Sequence, residues 1–156
     1  MPRTDVALLV LRLAGLFLCF NHGWSKVVGL AGGDHGFADG VAHLGFPAPL
    51  VFAWAAALSE SLGGLLVGLG LLARWAAAFC AFTMAVAAFV QHHALQHLLV
   101  ALHLRSASEE TVKGWGNPEM ALLYLAAFLG VALMGPGRAS LDYLLRGKKG
   151  GGAKKR

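Results

Sequence analysis

The segment from Pro49 to Leu72 restricts the chain to one kind of environment, because it is apolar throughout except for a single ionisable residue, Glu60, near its centre. At about 1.5 Å per residue, some 20 such residues cross a hydrocarbon layer about 30 Å thick, so the segment is predicted to be a transmembrane helix. A carboxylate at that depth costs about 2.5–3.5 kcal/mol on insertion scales, so Glu60 is expected to face other helices and to have a partner or a proton. Gly64 and Gly68 follow at one and two helical turns. This small-xxx-small spacing lets a neighbouring backbone approach closely on nearly the same face. A carboxylate placed in this way suits a functional role and, equally, a structural charge that locks helix register.

Composition supports the same environment. Hydrophobic residues make up 57% of the 156 residues and charged residues 13%, and the mean hydropathy is +0.63, which is the membrane class. The net charge of +5 is concentrated in the tail, at Arg146, Lys148, Lys149, Lys154, Lys155 and Arg156. It therefore reads as a topology signal, not as a nucleic-acid footprint, and no nucleic-acid partner is expected. Cys19 and Cys80 both lie in apolar stretches, and no Cys-x-x-Cys pair supports thiol exchange or an iron–sulfur cluster.

Four apolar segments, at about 6–28, 49–72, 75–98 and 118–134, predict an all-α transmembrane four-helix bundle with short interfacial helices. The domain would cover 1–145, followed by a basic disordered tail at 146–156. The first segment differs from a signal peptide: Arg12 interrupts it, and Asn21-His22-Gly23-Trp24-Ser25-Lys26 stands where a small-residue cleavage site would be. On a helix, Arg12, Cys19, His22 and Lys26 fall within an arc of about 80°, a polar face expected to look inward. Between Gly29 and Pro49 lies a Gly-, Asp- and His-rich loop. It lacks the preceding strand and the Gly-Lys-Ser/Thr of a nucleotide site, but offers a short interfacial helix near Phe37 to Leu44. The connection Ala73-Arg74-Trp75 predicts a tight antiparallel hairpin, and Asn117-Pro118-Glu119 predicts a capped start to the last helix. Ser140 is placed to cap a brief helix from Leu141 to Leu145.

The third segment turns histidine-rich at Gln91-His92-His93-Ala94-Leu95-Gln96-His97. His93 and His97 have the i,i+4 spacing that can share a metal, but no carboxylate lies within a turn, and no metal site is expected. Positive charge at the N-terminus, Arg74 and the tail, set against acidic residues in both long loops, places both termini in the cytoplasm. Counting about 1.5 Å per residue then puts Glu60 near the midplane and Arg12 about 10 Å above the inner face. Arg12 and Glu60 are accordingly expected to form a buried pair. Asn21, His22, Lys26, His92, His93 and Glu119 are expected to gather in a polar pocket at the extracytoplasmic side. The same counting separates Cys19 from Cys80 by about 12 Å in depth, too far for a disulfide.

Taken together, Arg12 with Asn21-His22-Gly23-Trp24-Ser25-Lys26, then Glu60-Ser61-Leu62-Gly63-Gly64 with Leu69-Gly70-Leu71-Leu72-Ala73-Arg74, then Met84 ahead of His92, Glu119 and Gly135-Pro136-Gly137-Arg138-Ala139-Ser140-Leu141-Asp142, resemble the DoxX family. The resemblance spans nearly the whole chain up to Leu145. It implies a small four-helix protein of the bacterial inner membrane, in several cases a subunit of quinone-linked sulfur or thiol redox complexes. On that expectation the polar pocket receives a quinone headgroup, no cofactor is intrinsic, and a protein partner supplies the electrons. The chain would then be at most a non-autonomous oxidoreductase subunit. Two other functions use the same residues: small-solute binding or permeation, and a b-type haem held by His22 and His92.

Overall fold

The computed structural model describes residues 2–145, which are helical or turn with no strand among them; the basic tail at 146–156 lies outside the described residues. In chain order the helices are α1 (Arg3–Ala31), α2 (Gly36–His43), α3 (Pro49–Leu69), α4 (Ala73–Gln91), α5 (Ala94–Ala101), α6 (Glu109–Gly114) and α7 (Glu119–Met134). Three of these, α1, α3 and α4, are long and apolar enough to cross a membrane. The 16-residue α7 packs against α4 and α1.

Each long helix contains one π turn, at Cys19–Gly23 in α1, Ser59–Gly63 in α3 and Val86–Gln91 in α4. A π turn bonds i to i+5 and so takes in an extra residue, which rotates all that follows relative to a regular helix. The first two such turns face each other where α1 and α3 cross. That crossing is antiparallel and close: a Cβ on Gly64 would lie 2.6 Å from the carbonyl oxygen of Gly15, and one on Gly23 would strike the backbone of Glu60 and Ser61. The spacing predicted from Gly64 and Gly68 is thus met at Gly15 and at the side chain of Leu16.

The interior is built mostly from small residues. Ala53, Ala57, Ala73, Ala76, Ala77, Ala81 and Ala88 are buried, and Leu18, Val67, Met84, Phe128 and Val131 fill the space that remains. Several large aromatics point outwards, with Phe17, Phe20, Trp24, Phe79 and Phe82 between 60% and 69% exposed. An apolar solvent reverses the usual arrangement: bulky side chains lose nothing by facing lipid, and helices gain contact by bringing backbones together.

The helix ends are set by specific bonds. Gly70, at φ +70°, ends α3, its N–H donating to the Val67 carbonyl at 3.0 Å while Leu71 N–H donates to Leu66 at 3.0 Å. This is a Schellman ending, and its left-handed residue is readily glycine. The carboxylate of Asp142 accepts from the N–H groups of Leu72 and Ala73 at 2.9 and 3.0 Å, so α4 starts at Ala73, earlier than the hairpin reading. Asn117 Oδ1 accepts from Glu119 N–H at 2.8 Å and starts α7 as its side chain implies. Ser140 Oγ accepts from Tyr143 N–H at 3.2 Å, capping the helical stretch at 141–145.

One helix differs from expectation. The third segment is not continuous to residue 98: it breaks at His92 and His93, the latter at φ +51°, and resumes as α5. The cause is tertiary, since His97 Nε2 lies 2.8 Å from the Gly116 carbonyl and the rings of His93 and His97 pack on Trp115, which draws this stretch towards the loop before α7.

Candidate functional site

Glu60 sits in the π turn of α3 and Lys26 one turn beyond the π turn of α1. The wide turns bring the backbone of Gly23 against Glu60 and Ser61, and from there the long Lys26 side chain reaches the carboxylate. Lys26 Nζ donates to both oxygens, at 2.6 and 2.7 Å. The Glu60 side chain is 4% exposed and that of Lys26 27%. The ammonium also lies 4.6 Å from the centre of the Phe37 ring, a cation–π contact that adds to its stabilisation.

This pair lines a cavity of about 250 Å³ together with the rings of Phe37, Phe46, Phe52, Phe79 and Phe82. Ser59, Thr83 and Gln91 supply the neutral polar atoms, with Thr83 Oγ1 2.9 Å from Ser59 Oγ. Phe79 and Phe82 line the cavity and are at the same time exposed on the outer surface of α4, so the cavity opens on the face that meets lipid. Chemically it is an apolar, ring-lined slot with one hydrogen-bond donor of positive charge and one carboxylate in its lining. That combination suits a flat, largely apolar molecule with a carbonyl or hydroxyl to place at Lys26 and Glu60.

The expected Arg12–Glu60 pair is replaced. Arg12 is buried, but its guanidinium donates to the carbonyls of Val67 at 3.0 Å, Gly68 at 2.7 Å, Pro136 at 3.1 Å and Ala139 at 2.6 Å. The reason is register. Antiparallel packing sets Arg12 beside the end of α3, where the carbonyls of Val67, which also accepts from Gly70 N–H, and Gly68 carry the partial negative charge of the helix end and attract a cation. Glu60 lies opposite Gly23, well along the helix, and among the described residues Lys26 is the cation that pairs with it.

The other expected pocket residues do not gather around Lys26. Asn21 Nδ2 donates to the Phe17 carbonyl of its own helix at 3.0 Å, and His22 is exposed, its ring edge-on to Tyr124 at 6.2 Å. The π turn that begins at Cys19 rotates His22 out of the arc it would share with Arg12 on a regular helix. His92 abuts Gly116, His93 packs on Trp115, and Glu119, exposed, lines a separate groove with His97. Among the described residues no three His, Cys, Asp or Glu side chains converge as a metal site. The depth separation of the cysteines is also corrected. Cys19 packs on Gly64 and Cys80 on Gly63, so both flank the same turn of α3, and both are free thiols. Cys80 Sγ donates to the Ser59 carbonyl at 3.2 Å.

The ring-lined wall was not anticipated from sequence, because its five phenylalanines come from four separate segments, α2, the loop after it, α3 and α4, with only Phe79 and Phe82 on one helix. The Ser-x-Ser-x-Gly-Gly run around Glu60 was the available signal for a distorted, closely packed turn.

The sequence profile of the DoxX family matches residues 7–93. The chain is 31% identical over 144 residues to the "Inner membrane protein YqjF" of Escherichia coli (strain K12), an alignment that covers 92% of this chain and 95% of that relative. No solved structure matches.

Proposed function

The chain belongs to the DoxX family, and from that premise and the Lys26–Glu60 cavity we propose that it is the membrane subunit of a quinone-linked redox complex. In this reading it lies in the bacterial inner membrane, as its E. coli relative's name describes for that protein. The α7 helix crosses with α1, α3 and α4 to complete a four-helix bundle, and both termini are cytoplasmic. The observation that carries the proposal is an ion pair lining a phenylalanine-walled cavity, two of whose rings, Phe79 and Phe82, are also exposed on the outer surface of the apolar helix α4. A quinone dissolved in the bilayer reaches such a cavity without passing through water. Its ring stacks among the phenylalanines, one carbonyl accepts from Lys26, and Glu60 exchanges the proton that accompanies each electron. In this reading the electrons come from a partner subunit.

Titration of purified full-length protein in detergent with a short-tailed quinone tests this, with tryptophan fluorescence as the readout. Saturable quenching is expected in the wild type, with affinity at least tenfold lower in Lys26→Met and in Glu60→Gln. Equal affinity in all three would remove the pair from quinone binding. Displacement of the quinone by a small water-soluble solute at similar concentration would favour solute binding or permeation instead.

A further inference from the structure

Beyond the end of α3, where the start of α1, the turn at Leu72, the start of α4 and the segment after α7 meet, lies a second cleft of about 400 Å³. Arg74 and Arg138 line it, and so do Asp5 and Asp142. Arg12 stands behind it, donating to the carbonyls of Pro136 and Ala139. Asp142 is already committed, with both oxygens on the N–H groups of Leu72 and Ala73. Asp5 Oδ1 accepts from Arg138 N–H at 3.1 Å, while its Oδ2 is buried without a hydrogen bond and faces the Arg138 guanidinium.

The lining arginines are not fully committed. Arg74 spends Nε and Nη2 on the carbonyls of Ala132 and Leu133, both at 3.0 Å, which leaves Nη1 with no partner among the described residues. Arg138, 64% exposed at its side chain, forms a loose ion pair with Asp5, Nε to Oδ2 3.9 Å, without a hydrogen bond, so its N–H donors remain unspent. Three guanidiniums therefore stand against two carboxylates, an excess of one positive charge with unspent N–H donors. The surroundings are interfacial: Trp75 is 73% and Tyr143 51% exposed at the rim. From Trp75, the exposed rings of Phe79 and Phe82 continue along α4 at helical spacing.

We propose that this cleft binds the phosphate of an anionic glycerophospholipid. Its single negative charge balances the excess guanidinium, Arg74 and Arg138 donate to its oxygens, and one acyl chain lies along Trp75, Phe79 and Phe82. Trp75 and Tyr143 then mark the level of the glycerol and headgroup. The site rests on the chain's place in the bilayer and not on the quinone reading, so either can fail without the other.

Native mass spectrometry of the full-length protein, released from detergent after titration with dioleoyl phosphatidylglycerol, tests it. One retained lipid is expected, with affinity at least tenfold lower in Arg74→Gln/Arg138→Gln. Arg138→Gln alone, at a side chain that is 64% exposed and holds no backbone carbonyl, should weaken binding at least threefold with the unfolding midpoint in detergent read alongside. Dioleoyl phosphatidylcholine, in which an ammonium cancels the phosphate charge, should bind at least fivefold more weakly. Unchanged binding in Arg138→Gln, equal binding of phosphatidylcholine, or displacement of the lipid by millimolar inorganic phosphate would each overturn the proposal, the last by making this a free-anion site.

Discussion

Lys26 and Glu60 hold each other, but they are not equally exposed, and the difference predicts an asymmetry. Removing Lys26 leaves a carboxylate that is 4% exposed with no partner, whereas removing Glu60's charge leaves an ammonium that is 27% exposed and can turn towards water. Lys26→Met should therefore destabilise the protein by about 3–5 kcal/mol and Glu60→Gln by only about 1–2 kcal/mol. The double change Lys26→Met/Glu60→Leu should recover much of the loss, as apolar replacements of buried pairs do. Thermal unfolding of the variants in detergent measures all three, and equal losses for the two single changes would contradict the exposure argument. Arg12 makes a different case, since its forked head serves four carbonyls on two segments at once. A lysine has three donors on one atom and cannot span them. Arg12→Lys should thus cost about 1–3 kcal/mol despite keeping the charge, measured in the same way.

At the scale of elements, the π turns are what bring α1 and α3 together at Glu60, and the contact has no spare room at Gly23. Gly23→Ala would improve helix propensity by about 1 kcal/mol in isolation, yet its Cβ meets the backbone of Glu60 and Ser61, which cannot move aside as a side chain would. The variant should be less stable than wild type and should bind quinone more weakly, because the pair at Glu60 is displaced with the helix. Gly40 in α2 is the control: a Cβ there meets nothing within 4 Å, so Gly40→Ala should stabilise by about 0.5–1 kcal/mol. Unfolding midpoints that move in the same direction for both would show that propensity, not close packing, governs Gly23. The break at His93 belongs to this scale too. Nothing local to Gln91–His97 forbids a helix; the stop comes from bonds and ring contacts to Gly116 and Trp115.

For the whole molecule, orientation is the outstanding quantity, and charge predicts it. A cysteine placed at Ser108 should react with an impermeant maleimide added to intact cells, while one at Ala153 should react only after lysis; the native thiols are buried and contribute little background. The reverse pattern would invert the topology. That the chain is helical and membrane-embedded followed from its sequence alone, because long runs of apolar residues have one favourable solvent and one way to satisfy their backbone within it. The need of Glu60 for a partner followed in the same way, from the cost of a lone charge in hydrocarbon. Which partner it takes did not. A count of 1.5 Å per residue assumes straight, regular helices, and two π turns and a glycine-tight antiparallel crossing changed both the rotation and the register. These moved Arg12 to the carbonyls at the end of α3, turned His22 outwards and left Lys26 as the side chain within reach of Glu60. Residue chemistry sets which groups must be satisfied, while backbone geometry over long sequence separations decides which of them meet.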